Sequence, residues 1–147
     1  MARSRHTRGT PDGGRWRQQE HAPAPDAVNL ADADRDVEDA ATCARDELGR
    51  FISHPEFVVR CEAATRADGD DLEAFSRDPE WIVRYTVALR TDDERVIEWM
   101  KGDEDRRVRS VLLGHPDLSA EDNAELMADP QVRAIADSFA RLASIAA

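Results

Sequence analysis

The chain has few aromatic residues and little cysteine. Three tryptophans, four phenylalanines and one tyrosine make up 5% of its 147 residues, so a core must come from Ala, Val, Leu and Ile. Its two cysteines, Cys43 and Cys61, lie eighteen positions apart. That spacing fits neither a zinc site nor a disulfide framework, and both read as small apolar thiols in a reducing cytoplasm. The absence of any run of about 18 apolar residues excludes a membrane-spanning helix. Arg3, Arg5 and Arg8 open the chain with no apolar stretch behind them, so this start does not read as a secretory signal. The four histidines form no His-x-x-x-His or Glu-x-x-His pair for a metal. There is no Gly-x-Ser-x-Gly elbow, phosphate loop or dinucleotide fingerprint. No catalytic, cofactor-binding or metal-ligating residue is therefore assigned, and no enzyme activity or cofactor is expected.

Charge is abundant instead. Charged residues make 35% of the chain, and the net charge is −11. Residues 1–26 differ from the rest, with Gly9, Gly13, Gly14, Pro11, Pro23 and Pro25, and Trp16 as their one clear apolar side chain. So little apolar surface does not offset the ordering entropy, so the stretch reads as a disordered tail. Its five arginines, among them Arg15 and Arg17, against Asp12, Glu20 and Asp26 give it +2, which leaves −13 on residues 27–147. That remainder is long enough for one domain with a modest core.

The remainder repeats itself. HPEFVVRCEAATR from His54, DPEWIVRYTVALR from Asp78, DEDRRVRSVLLGH from Asp103 and DPQVRAIADSFA from Asp129 align without gaps. Their Val-Arg pairs are Val59-Arg60, Val83-Arg84, Val108-Arg109 and Val132-Arg133, spaced by 24, 25 and 24. A fifth, degenerate unit is expected around Val37, with Glu38 in place of the arginine. A constant period of this size implies stacked supersecondary units. The longer helix of each unit starts near Asp78-Pro79 or its equivalent and carries an apolar stripe such as Val83, Val87 and Ala88. The shorter helix is edged by Leu72 and Phe75, then by Val96, Ile97, Trp99 and Met100, then by Leu126 and Met127. Thr91 with Glu94 and Ser119 with Asp122 read as capping boxes. The expected fold is all-α: a short right-handed α-solenoid of about five two-helix repeats. A longer Ala-rich helix from Val132 to about Ile145 would cap it.

The stretch VRSVLLGHPDLSAEDNAELMADPQVRAIA resembles the leucine-rich repeat variant, a relative of the HEAT-like repeats. It shares with that family the Val-Arg, a small apolar run, a His-Pro loop, a short Leu-bearing helix, Asp-Pro and Val-Arg again. The likeness covers residues 48 to 140. It implies an all-helical solenoid in which a short helix alternates with a longer one. The cysteine-rich iron–sulfur segment of one family member has no counterpart here.

Arg60, Arg84, Arg109 and Arg133 recur once per unit, directly after the core valine. They read in two ways. One is an internal ladder in which each guanidinium reaches a loop carboxylate such as Asp78, Asp103 or Asp129. The other is a basic stripe that meets phosphates or an acidic peptide. The loop acids Asp68, Asp70, Asp71, Asp92, Asp93, Glu94, Asp103, Glu104 and Asp105 suit helix starts, and together they form an acidic surface. The expected function is a cytoplasmic protein-interaction module whose partner is a basic protein. The alternative is nucleic-acid association through Arg15, Trp16 and Arg17 of the tail or through the arginine column. A repair-like HEAT-repeat enzyme is the third reading.

Overall fold

The computed structural model describes residues 30–145, and every regular element among them is helical. The elements are α1 (Leu30–Thr42), a 3₁₀ helix (Arg45–Phe51), α2 (Phe57–Arg66), α3 (Gly69–Phe75), α4 (Trp81–Ala88), α5 (Glu94–Lys101), α6 (Arg106–Val111), α7 (Ala120–Ala128) and α8 (Pro130–Ile145). The tail, with Arg15, Trp16 and Arg17, lies outside the described residues.

The helices that carry the Val-Arg pairs pack side by side, α2 on α4, α4 on α6 and α6 on α8, and α1 extends the row by packing on α2. The intervening short helices lean on this row, α3 on α2 and α4, α5 on α6 and α7 on α8. The residue pattern accounts for the arrangement. Val59, Val83, Val108 and Val132 are each 0% exposed, and burying a valine stabilises by about 1.5–3 kcal/mol. One turn later Ala63, Val87 and Leu112 extend the same stripe. Ala40, Ala64 and Ala88 are buried small residues where neighbouring helices approach. Leu72 and Phe75 of α3, Val96 and Met100 of α5, and Leu126 of α7 close the core from the short-helix side. Leu48 and Phe51 of the 3₁₀ helix do so at the N-terminal end.

Several local expectations are corrected. Asp78 does not cap α4, which starts after Glu80; the Asp78 carboxylate instead accepts the Glu80 N–H at 2.8 Å and faces Arg60. α5 is capped by Asp93, which accepts the Arg95 N–H at 2.9 Å, and not by Thr91. Thr91 is buried two residues earlier, its hydroxyl accepting the Asp93 N–H. The Ser119–Asp122 capping box forms in full at the start of α7. Trp99 leaves the core edge assigned to it: Val96, Ile97 and Met100 are buried while Trp99 is 59% exposed. Those three residues already fill one arc of an eight-residue helix, and Trp99 projects outside that arc.

The first unit sits in a different register from the one expected. Arg66 donates to the carbonyls of Ala40 and Cys43, as Arg90 does to those of Ala64 and Ala67. Each equivalent carbonyl therefore lies twenty-four residues back. This places Asp36, and not Glu38, in the arginine column. In this register Ala40 is the counterpart of the buried Ala64 and Ala88, and Val37 is only partly buried.

Candidate interaction surface

The arginine column is joined to the next unit. Arg60 donates from Nε to Asp78 Oδ2 at 2.6 Å and from Nη2 to Asp78 Oδ1 at 3.0 Å. Its Nη1 meets the His54 carbonyl at 2.7 Å. Arg84 repeats the pattern one unit on, with Asp103 at 2.7 and 3.0 Å and the Asp78 carbonyl at 2.8 Å. Arg109 keeps one arm of the fork, to Asp129, and donates also to the Asp103 carbonyl. Each acceptor aspartate also takes the N–H two residues further on, that of Glu80, Asp105 or Gln131. One carboxylate thus fixes a loop and joins two units. Bidentate pairing of this kind is short and charge-assisted. The hydrogen bond that Arg60 donates to Asp78 raises the arginine's pKa above its ordinary value, and the bond to Asp103 does the same for Arg84.

Arg133 stands apart. It is exposed, and Nε and Nη2 donate to the Met127 carbonyl of its own unit at 2.9 and 2.7 Å. Arg60 and Arg84 are 7% and 6% exposed, with every donor facing an internal acceptor. A phosphate could reach them only by displacing a carboxylate.

A second ladder runs at the other end of the same helices, and sequence reasoning missed it. Arg66 and Arg90 hold the last carbonyls of the preceding long helix, as described above. His115 continues the series, with Nε2 3.0 Å from the Thr91 carbonyl. The signal was visible, because Arg66, Arg90 and His115 end the three aligned segments at one column. His115 Nδ1 also accepts the Asp117 N–H, so the ring bridges two units. Helix C-terminal carbonyls lack intrahelical partners, and a cation or N–H donor placed there satisfies them. Among the described residues, no buried side-chain nitrogen or oxygen lacks a partner.

Between α2 and α7 the acids gather on the short helices and most arginines on the long ones, with Arg95 and Lys101 of α5 as exceptions. The short helices α3, α5 and α7 carry Asp70, Asp71, Glu73, Glu94, Glu98, Glu121, Asp122 and Glu125. The long helices α2, α4 and α6 carry one acid, Glu62, and six arginines. Trp81 lies on that long-helix side, edge-on to Tyr85 at 6.2 Å, with the Arg107 guanidinium 3.3 Å from its ring centre. The arginine is bonded at the same time to Asp105, whose carboxyl it draws down to about 2.

A groove of about 780 Å³ opens between the loop that precedes α4 and helix α5. Trp99 stands in it beside Arg77, whose guanidinium is 5.9 Å from the indole ring centre. Arg95, Glu98 and Glu104 supply charge around the rim, and Asp78 and Asp103 of the ladder lie along its lining. An exposed indole flanked by mixed charges is well suited to protein contacts, where tryptophan and arginine carry much of the binding energy. No family model, curated protein or solved structure matches this chain. Its functional reading therefore rests on its own surface.

The remaining sequence candidates sit quietly. Cys43 and Cys61 are free thiols, half-buried, and desolvation pushes the Cys61 pKa up. Among the described residues, no group of three His, Cys, Asp or Glu side chains is placed to hold a metal ion. No described helix is long and apolar enough to cross a membrane.

Proposed function

We propose that this chain is a non-enzymatic protein-interaction module, a short right-handed α-solenoid of about five two-helix repeats of the HEAT-like kind represented by the leucine-rich repeat variant. Supporting this reading, long helices packed in succession and joined by a recurring Arg–Asp rung make a stack in which each unit is held by its neighbours. Such a stack leaves an extended surface whose exposed residues vary without disturbing the core. The observation that carries the reading is the exposed Trp99 in the 780 Å³ groove. An indole left 59% open to water is costly to hydrate and gains from being covered. The acid-rich short helices favour a partner with basic character along that side, in keeping with the net charge.

The test is affinity capture with the whole chain and with Trp99→Ala, each at low salt and at about 1 M salt, where charges are screened within about 3 Å. The expected result is a partner retained by the wild type, lost with Trp99→Ala and weakened by salt. Retention that ignores both the substitution and the salt would remove this groove as the binding surface.

A further inference from the structure

The groove between α6 and the second half of α8 differs in charge from the rest of this acidic molecule. α8 has sixteen residues and α6 has six, so the last turns of α8 outrun the helix they pack on. Ile135 is half-buried there, while Phe139 and Leu142 are each 64% exposed. With Gln131 and Ser138 they line a groove of about 400 Å³ whose one charged lining residue is Arg106. The acids next to Arg106 in sequence are engaged by other arginines, Glu104 by Arg84 at 3.3 Å and Asp105 by Arg107 at 2.7 Å, and they line an adjoining pocket that shares Arg106 and Gln131 with this groove. Arg106 itself is exposed, and among the described residues no carboxylate pairs with it.

We infer that this groove docks an acidic amphipathic segment of a partner protein, with apolar side chains against Ile135, Phe139 and Leu142 and a carboxylate on Arg106. The inference rests on the binding-module reading above and names a second, chemically different surface for it. An apolar strip ending in an unpaired guanidinium matches a helix-in-groove mode of recognition, in which apolar anchors supply affinity and one charge fixes direction. Guanidinium–carboxylate bonds across such a contact are charge-assisted. A second copy docked groove to groove is the poorer occupant, because such a contact repeats the same patch on both sides and sets two Arg106 guanidinium groups in one interface with no carboxylate between them.

Fluorescence anisotropy of the full chain with two labelled synthetic peptides tests this. Both peptides carry Leu and Phe at helical spacing; one ends in Glu and Asp, the other in Lys and Arg at the same positions. The acidic peptide should bind about tenfold more tightly or better. Arg106→Glu should reverse that preference, and Phe139→Ser with Leu142→Ser should weaken both peptides. All three positions are exposed, so circular dichroism should show unchanged helicity; if the double substitution melts, Phe139→Gln alone replaces it. Equal affinity for the two peptides, or an acidic-peptide Kd unmoved by Arg106→Glu, would overturn the proposal. So would tighter binding after removal of residues 1–26, which would make the chain's own tail the occupant. Light scattering that shows the groove substitutions dissolving a dimer would do the same in favour of a second copy. If the peptides fail while capture still depends on Trp99, the groove assignment falls and the binding-module reading stands.

Discussion

Asp36 and His54 form the same rung as Arg60 and Asp78 with the chemistry exchanged. Eighteen residues separate the partners in both pairs. His54 Nε2 lies 3.1 Å from Asp36 Oδ2, and His54 Nδ1 accepts the Glu56 N–H at 3.1 Å, as Asp78 accepts that of Glu80. The Glu56 N–H fixes Nδ1 as an acceptor, so Nε2 carries the proton and donates to Asp36. Two predictions separate this rung from a chance contact. His54→Asp should destabilise by about 1–2 kcal/mol, since it sets two carboxylates together. Adding Asp36→Arg should restore most of that loss by making an ordinary rung. Urea unfolding of the two variants checks this, and a double variant less stable than His54→Asp would show that the first unit does not share the ladder geometry.

The column should also be graded along its length. Arg84→Ala leaves the Asp103 carboxylate buried beside an empty site and should cost about 3–5 kcal/mol, the range for breaking a buried ion pair. Arg84→Lys should recover little, because a single ammonium does not reproduce the fork. Arg133→Ala removes an exposed side chain bonded only within its own unit and should cost less than about 1 kcal/mol. Equal losses at the two positions would mean that the ladder does not hold the units together.

The repeat and the inward valines were legible in the sequence because Val59, Val83, Val108 and Val132 keep a constant period, and periodicity survives ignorance of tertiary contacts. The helix starts were less legible. Asp78 has the chemistry of a cap, but the guanidinium of Arg60, a residue of the preceding unit, claims its carboxylate and delays α4 to Trp81. Local propensity does not contain that partner. The 3₁₀ helix at Arg45–Phe51 was not foreseen. Trp99 was misplaced because hydrophobicity was read without its angle: with Val96, Ile97 and Met100 taking one arc, the indole had no core left to enter. The binding surface is the least legible part. Exposure at Trp99, Phe139 and Leu142 depends on where neighbouring helices end, and α6 ends early.

Val83 is the most direct probe of the core. It is 0% exposed in the middle of the helix row, and Val83→Asp would bury a carboxylate with no partner. The cost of several kcal/mol is comparable with the about 5–15 kcal/mol that holds a domain of this size. Loss of helical circular dichroism at 25 °C is the expected outcome. A melting temperature close to that of the wild type would place Val83 in water and overturn the helix phase.

Acid should unfold the molecule through a few identifiable carboxylates. Arg107 holds the Asp105 carboxyl at about 2, and Lys101, followed by Ser119, does so for Asp122. Asp129 is lowered as well, first by the Gln131 N–H and then by Arg109. Folded-state values below the unfolded value of about 3.9 mean that these groups stabilise the fold above that pH and lose their contribution as pH falls toward 2. On the alkaline side Arg60, Arg84 and Lys101 are raised, so their contribution is fully present below their unfolded values and survives through neutral pH. Relief of the net −11 charge works in the opposite direction, since protonating unpaired surface acids reduces self-repulsion. The melting temperature should therefore hold steady from pH 7 to about pH 5 and then fall between about pH 4 and pH 2. Asp105→Asn should make that fall shallower. A melting temperature that climbs all the way to pH 3 would mean that charge relief outweighs pairing at Asp105, Asp122 and Asp129.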